Sequence, residues 1–138
     1  MAKHLTYSKG IIYTPTLLNA ITEDTTSSAQ LVAGAKGIGI EFTEGGTVNN
    51  RSGVLTITVS MDGGTSFRAY NMLIDNLSNA ITEGLTRVDS KTRNSAGTDI
   101  LWMTPETLGG ITHIKASIDV TDGASPTGNF TVKAIITY

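Results

Sequence analysis

The stretch Gly109–Tyr138, GGITHIKASIDVTDGASPTGNFTVKAIITY, decides the fold class. Ile114, Ala116, Ile118 and Val120 alternate with His113, Lys115, Ser117 and Asp119. After an interruption, Phe130, Val132, Ala134, Ile136 and Tyr138 alternate with Thr131, Lys133, Ile135 and Thr137. Successive side chains of a strand point to opposite faces, so a period of two sets one apolar row inward and one largely polar row outward. The interruption, Asp122–Gly128, has the Asp, Gly, Ser and Pro content of a loop, and the whole predicts a closing hairpin.

The same alternation recurs upstream. Ile38, Ile40 and Phe42 alternate with Gly37, Gly39 and Glu41, and Leu55, Ile57, Val59 and Met61 with Thr56, Thr58 and Ser60. Shorter strand candidates lie at 29–33, 67–73, 85–91 and 99–103. Turn residues separate them at Gly45-Gly46, Asp62-Gly63-Gly64, Asn94–Gly97 and Gly109-Gly110. Helical turns are possible only around 71–79 and at Pro105–Leu108, where Thr104 could cap and Pro105 suits the first helical position. The pattern predicts an all-β fold: an antiparallel sandwich or jelly roll of about eight short strands with little helix. Residues 25–138 form that domain. Residues 1–24 lack sustained alternation, and Pro15 interrupts them; they read either as an edge strand or as an arm packing on a neighbour.

Composition narrows the partners. The chain has 138 residues, 39% hydrophobic and only 16% charged, with a formal net charge of −2. That is one domain's length, with no electrostatic drive toward nucleic acid or an anionic membrane. Arg87, Lys91 and Arg93, flanked by Asp89, read as a solvated strand face. Cysteine is absent, which removes disulfides and thiolate metal sites. The start MAKHLTYSKG has no apolar targeting segment, so the chain is expected to be made in the cytoplasm and left uncleaved.

Ser60–Phe67, SMDGGTSF, resembles the Asp-box of sialidases and related β-propellers. A propeller needs at least four four-stranded blades, and this length supplies about two. Read physically, the octapeptide is a turn. Asp62 can accept nearby backbone N–H groups, Gly63 and Gly64 permit positive φ, Ser60 and Thr65 add hydroxyls, and Phe67 can tuck beneath. Ser60, Asp62, Gly63, Gly64 and Phe67 are therefore assigned a structural role.

No enzyme constellation is visible. His4 and His113 are the only histidines, and neither stands in a Ser/His/Asp setting. Glu23, Glu41, Glu44, Glu83 and Glu106 could pair only through the fold. No phosphate-binding fingerprint or calcium-loop ligand set is present, so no catalytic residue, cofactor or metal is expected. A carbohydrate-binding module would need exposed aromatics. Trp102, within DILWMTP, reads instead as core.

From Thr25 to Tyr138 the chain resembles small β-sandwich virion proteins of tailed bacteriophages. TTSSAQLVAGAKGIGIEF, VSMDGGTSFRAYNMLIDNL and the final GGITHIKASIDVTDGASPTGNFTVKAIITY carry the likeness. It implies a non-enzymatic structural protein of the virion. The leading expectation is a capsid decoration or cement protein that binds the major capsid protein or other virion proteins as a homo-oligomer, with a trimer favoured. A tail- or fibre-associated protein and a carbohydrate-binding module are the alternatives. Leu5, Tyr7, Ile11, Ile12, Tyr13, Leu17 and Leu18 form the candidate interface, as an apolar supply larger than a small domain is expected to cover itself.

Overall fold

The structure is a computed structural model that describes residues 11–75 and 85–138. Its strands are β1 (Ile12–Tyr13), β2 (Thr16–Ile21), β3 (Thr25–Thr26), β4 (Gln30–Leu31), β5 (Gly37–Ser60), β6 (Arg68–Ala69), β7 (Met72–Asp75), β8 (Leu85–Val88), β9 (Lys91–Arg93), β10 (Gly97–Trp102) and β11 (His113–Thr137). A 3₁₀ turn covers Pro105–Gly110. Thr104 occupies its cap position without a side-chain capping bond. Its N–H donates instead to the Tyr70 hydroxyl at 2.8 Å.

All eleven described strands belong to one antiparallel sheet. The strand count exceeds the expected eight, and one continuous hydrogen-bonded sheet stands where two separate sheets were expected. Two strands of 24 and 25 residues, β5 and β11, pair along almost their whole length and form the spine. Asp122–Gly128 is no hairpin loop, because the segments before and after it pair with the same strand, β5. Gly45-Gly46 likewise lies inside β5. The turn residues mark a deformation in a continuous ribbon.

That deformation sets the core. Inward positions on β5 are even-numbered from Ile38 to Glu44 and odd-numbered from Gly53 to Val59, whereas the buried positions of β11 are even throughout. From Asp122 to Asn129 β11 takes seven steps, while β5 takes six between their partners Arg51 and Gly45. The one-residue difference is a bulge. A one-residue slip moves a strand's side chains to the other face, so this shift keeps both apolar sets of β5 on the face shared with β11. Asn50 and Ser125, with φ of +53° and +49°, absorb part of the distortion.

The two halves of the ribbon share one core. Ile38, Ile40, Phe42, Val132, Ala134 and Ile136 from one half lie in the same buried cluster as Leu55, Ile57, Ile114, Ala116 and Ile118 from the other. A Cβ on Gly53 would lie 2.6–2.9 Å from three atoms of the Phe130 ring. Phe130 pairs with Glu44, nine residues from Gly53 along β5. Nine extended residues would span about 30 Å, so the spine must bend sharply for them to touch.

Short strands cover both flanks of the spine. β1, β2, β3 and β4 lie in turn along β11, and β10, β9 and β6 lie along β5. Long uncovered edges invite pairing with other chains, and short interrupted strands blunt them. Residues 11–24 are thus edge elements of this sheet, and Leu18, opposite Val132, is 5% exposed.

Gly53→Ala should destabilise the protein by about 1–3 kcal/mol, the scale for overpacking a filled core. Phe130→Leu in the same chain should recover part of that loss in urea titrations. A neutral single substitution would show that the ring contact does not constrain the bend.

Candidate functional site

The Asp62 turn is built almost wholly from its own residues. Val59 pairs with Arg68 and Thr58 with Ala69, so 61–67 is a hairpin loop between β5 and β6. Asp62 Oδ1 accepts from the Ser60 hydroxyl at 2.7 Å and from the N–H groups of Ser66 at 2.9 Å and Thr65 at 3.1 Å. Its Oδ2 accepts from the Ser66 hydroxyl at 2.6 Å. Ser60, fully buried, also accepts from the Gly64 N–H at 2.8 Å. Gly63 and Gly64 hold φ of +77° and +92°, which a side chain would oppose.

These donors, Ser66 foremost, hold the Asp62 carboxyl well below the usual range. A general acid or base works best with a pKa near the operating pH, and this carboxylate is committed to bracing a loop. Phe67 is half-buried, and the Lys115 ammonium lies 4.2 Å from its ring centroid. His113 packs beside Gly64, with its Nδ1 3.1 Å from the Thr112 hydroxyl.

A second polar cluster lies at the bend, where no linear motif announces it. Arg51 donates from Nε and Nη2 to Asp122 at 2.7 and 2.9 Å, and from Nη1 to the Gly128 carbonyl at 2.6 Å. It thereby spans both ends of the β11 excursion. Asn50 Nδ2 donates to the Ala124 carbonyl at 2.6 Å.

Beside this clamp, Glu44 is 1% exposed, and neither carboxylate oxygen has a hydrogen-bond partner. Burial pushes its carboxyl above the ordinary value, opposed chiefly by Arg93, then by the Ser95 backbone N–H and Arg51. Those groups are close enough to act through charge and dipole but outside hydrogen-bonding geometry. Arg93 is committed elsewhere: its Nη1 donates to Asp99 and its Nη2 to the Ser95 carbonyl.

The structure divides the candidate interface residues. Leu5 and Tyr7 fall outside the described residues. Ile11, Ile12 and Tyr13 are 72%, 65% and 49% exposed at the sheet edge. Leu17, partly buried, packs against the core and Leu18 is part of it, which sets both apart from the exposed residues. The reason is the pairing of β2 with β11, which Pro15 and the weak alternation concealed.

Trp102 also departs from expectation. It is 38% exposed, on the face opposite Leu101, which is completely buried. In the nearly uniform apolar run DILWM, alternation could not tell which phase faces inward. Glu41 and Glu44 point to opposite faces by the alternation of β5, so they form no catalytic pair. Glu83 and the side chain of Glu106 fall outside the described residues. Among the described residues no group of three or more His, Asp or Glu is placed to hold a metal ion.

No family model matches the chain, and no curated protein matches it. Among solved structures, the fold is similar to that in the crystal structure of the SPBc2 prophage-derived protein YomS, with a TM-score of 0.62. The match covers 98% of this chain and 100% of that one, at 13% sequence identity. The bent sheet is therefore an architecture shared end to end with a protein encoded in a prophage.

Two pH-dependent outcomes follow from the buried and braced carboxylates. Glu44 has a raised folded pKa, so the native state retains a proton that the unfolded chain releases. Its penalty is absent well below the ordinary value of 4.5 and grows as pH rises through it. Glu44→Gln should raise the melting temperature at pH 7 and lose that advantage at pH 4; equal gains at both would exclude titration of Glu44 as the cause. Asp62 has the opposite sign, since its lowered folded pKa gives stability that is present above 3.8 and lost as pH falls. Asp62→Asn should melt earlier than the parent at pH 7, with the gap closing toward pH 2.

Proposed function

We propose that the protein is a non-enzymatic structural component of a bacteriophage particle, in the leading form a decoration or cement protein that binds neighbouring subunits of the head. The observation that carries this reading is the end-to-end likeness to a prophage-derived protein. Three features of the molecule support it. The Asp62 turn, its most motif-like element, is occupied by its own hydrogen bonds. The charged clusters at the bend hold two strands of the same chain together. An apolar edge, Ile11–Tyr13, stands exposed beside the chain's last strand.

Such an edge suits adhesion. Burying one large apolar side chain is worth roughly 1.5–3 kcal/mol, so three on each of many symmetric contacts could hold a small subunit on a lattice. The partner in this reading is the major capsid protein or another virion protein, and the chain acts as a homo-oligomer with a trimer as the leading form.

Quantitative mass spectrometry of purified particles from the parent phage should find this chain at a fixed ratio to the major capsid protein. Tyr13→Asp should lower that ratio without unfolding the isolated protein. A chain abundant in infected cells yet missing from particles would sink the proposal, and presence only in separated tails would move it from head to tail.

A further inference from the structure

The outer face of the sheet carries an apolar band where antiparallel sheets usually carry polar side chains. Leu73 lies opposite Trp102, Trp102 opposite Gly39, and Gly39 opposite Ile135. Directly opposed residues share a face, so these side chains form one row across β7, β10, β5 and β11. Ile100 joins the row from β10, two residues from Trp102, and Ile12 extends it from β1 opposite Thr137. None of these five apolar residues is among the side chains that form or pack against the buried core. Gly39 leaves a shallow trough in the middle, with Ile135 and Trp102 atoms 3.8 and 3.9 Å from where its Cβ would stand.

We propose that this band is the contact between copies of the chain, each copy laying its outer sheet face on that of another. The proposal rests on the structural-protein reading and adds a surface that joins copies two by two; because such a face-to-face contact is two-fold, it makes the pair, not the trimer, the unit formed through this face. Two observations favour a second copy as the occupant. The rung beside the band sets Glu41 directly opposite Lys133, so that rung carries one charge of each sign. In an isologous contact, Glu41 of one copy can meet Lys133 of the other. The size also fits. Five strands about 4.8 Å apart, over two or three rungs, give an apolar strip of roughly 250–300 Å². That suits the centre of an interface of about 800 Å² per partner, with the threonine-rich remainder of the face as its polar rim.

Trp102 is the only tryptophan, so its emission reports on the band directly. The test follows fluorescence and sedimentation of the full chain as it is diluted from about 100 μM to about 0.1 μM, a range that resolves moderate affinities. The expected result is an oligomer with blue-shifted emission that dissociates on dilution as the emission moves to the red. Ile135→Asp should weaken association roughly tenfold or more, with an unchanged far-ultraviolet circular dichroism spectrum. If that variant misfolds, Ile100→Lys on the neighbouring rung provides the same test.

A monomer with red emission at every concentration would overturn the proposal. So would an oligomer indifferent to both substitutions, or blue emission that ignores concentration but is lost in Leu5→Asp with Tyr7→Asp. Saturable quenching of the monomer by oligosaccharides would overturn it in favour of a sugar platform. Stoichiometric presence in particles together with a red-emitting monomer would reject this contact and leave the virion reading standing.

Discussion

The pairing of β5 with β11, interrupted by a one-residue shift, is the constraint on which the rest of the molecule depends. Without the shift, one half of β5 would turn its leucine, isoleucine and valine side chains to the wrong face. With it, both halves of a 24-residue strand feed one core. The bend is held from both sides. Phe130 lies against the bare backbone of Gly53 within, while Arg51 ties Asp122 to the Gly128 carbonyl at the surface. A side chain at Gly53 or a shorter cation at Arg51 would disturb the same geometry from opposite directions.

Once the spine is bent, the other strands have little to do but cover it. Four short strands guard one flank and three the other, and most are only two to six residues long. This arrangement protects against indiscriminate edge pairing while leaving two apolar features outside, the Ile11–Tyr13 edge and the Trp102 band. A protein whose polar surface is rich in threonine and serine rather than charge offers little long-range attraction or repulsion to a partner. Recognition through shape and apolar burial is then the mode its surface favours. Glu44 runs against this economy. It is a buried carboxylate without a hydrogen bond, next to arginines engaged with other acids, and its desolvation opposes the fold it sits in.

Sequence alone determined the all-β class, because Ile38–Phe42, Leu55–Val59, Ile114–Val120 and Phe130–Ile136 repeat with a period that only a strand satisfies. It also contained nearly all of the Asp62 turn, since the partners of the Asp62 carboxylate lie within seven residues, while the Gly63 N–H reaches outside, to Thr112. Even the phase change on β5 was written in the chain, with even-numbered apolar positions before the bend and odd-numbered ones after it. What only the tertiary structure decided was how these pieces join. Gly45-Gly46 and Asp122–Gly128 have the composition of loops, and local chemistry does not distinguish a reversal from a bulge when the partner strand is 70 or more residues away. The same limit hid Arg51 and Asp122, which are ordinary surface charges until the spine brings them within 2.7 Å. It left the orientation of Trp102 open as well, since an unbroken apolar run has no polar face and the choice falls to whichever neighbouring strands it meets.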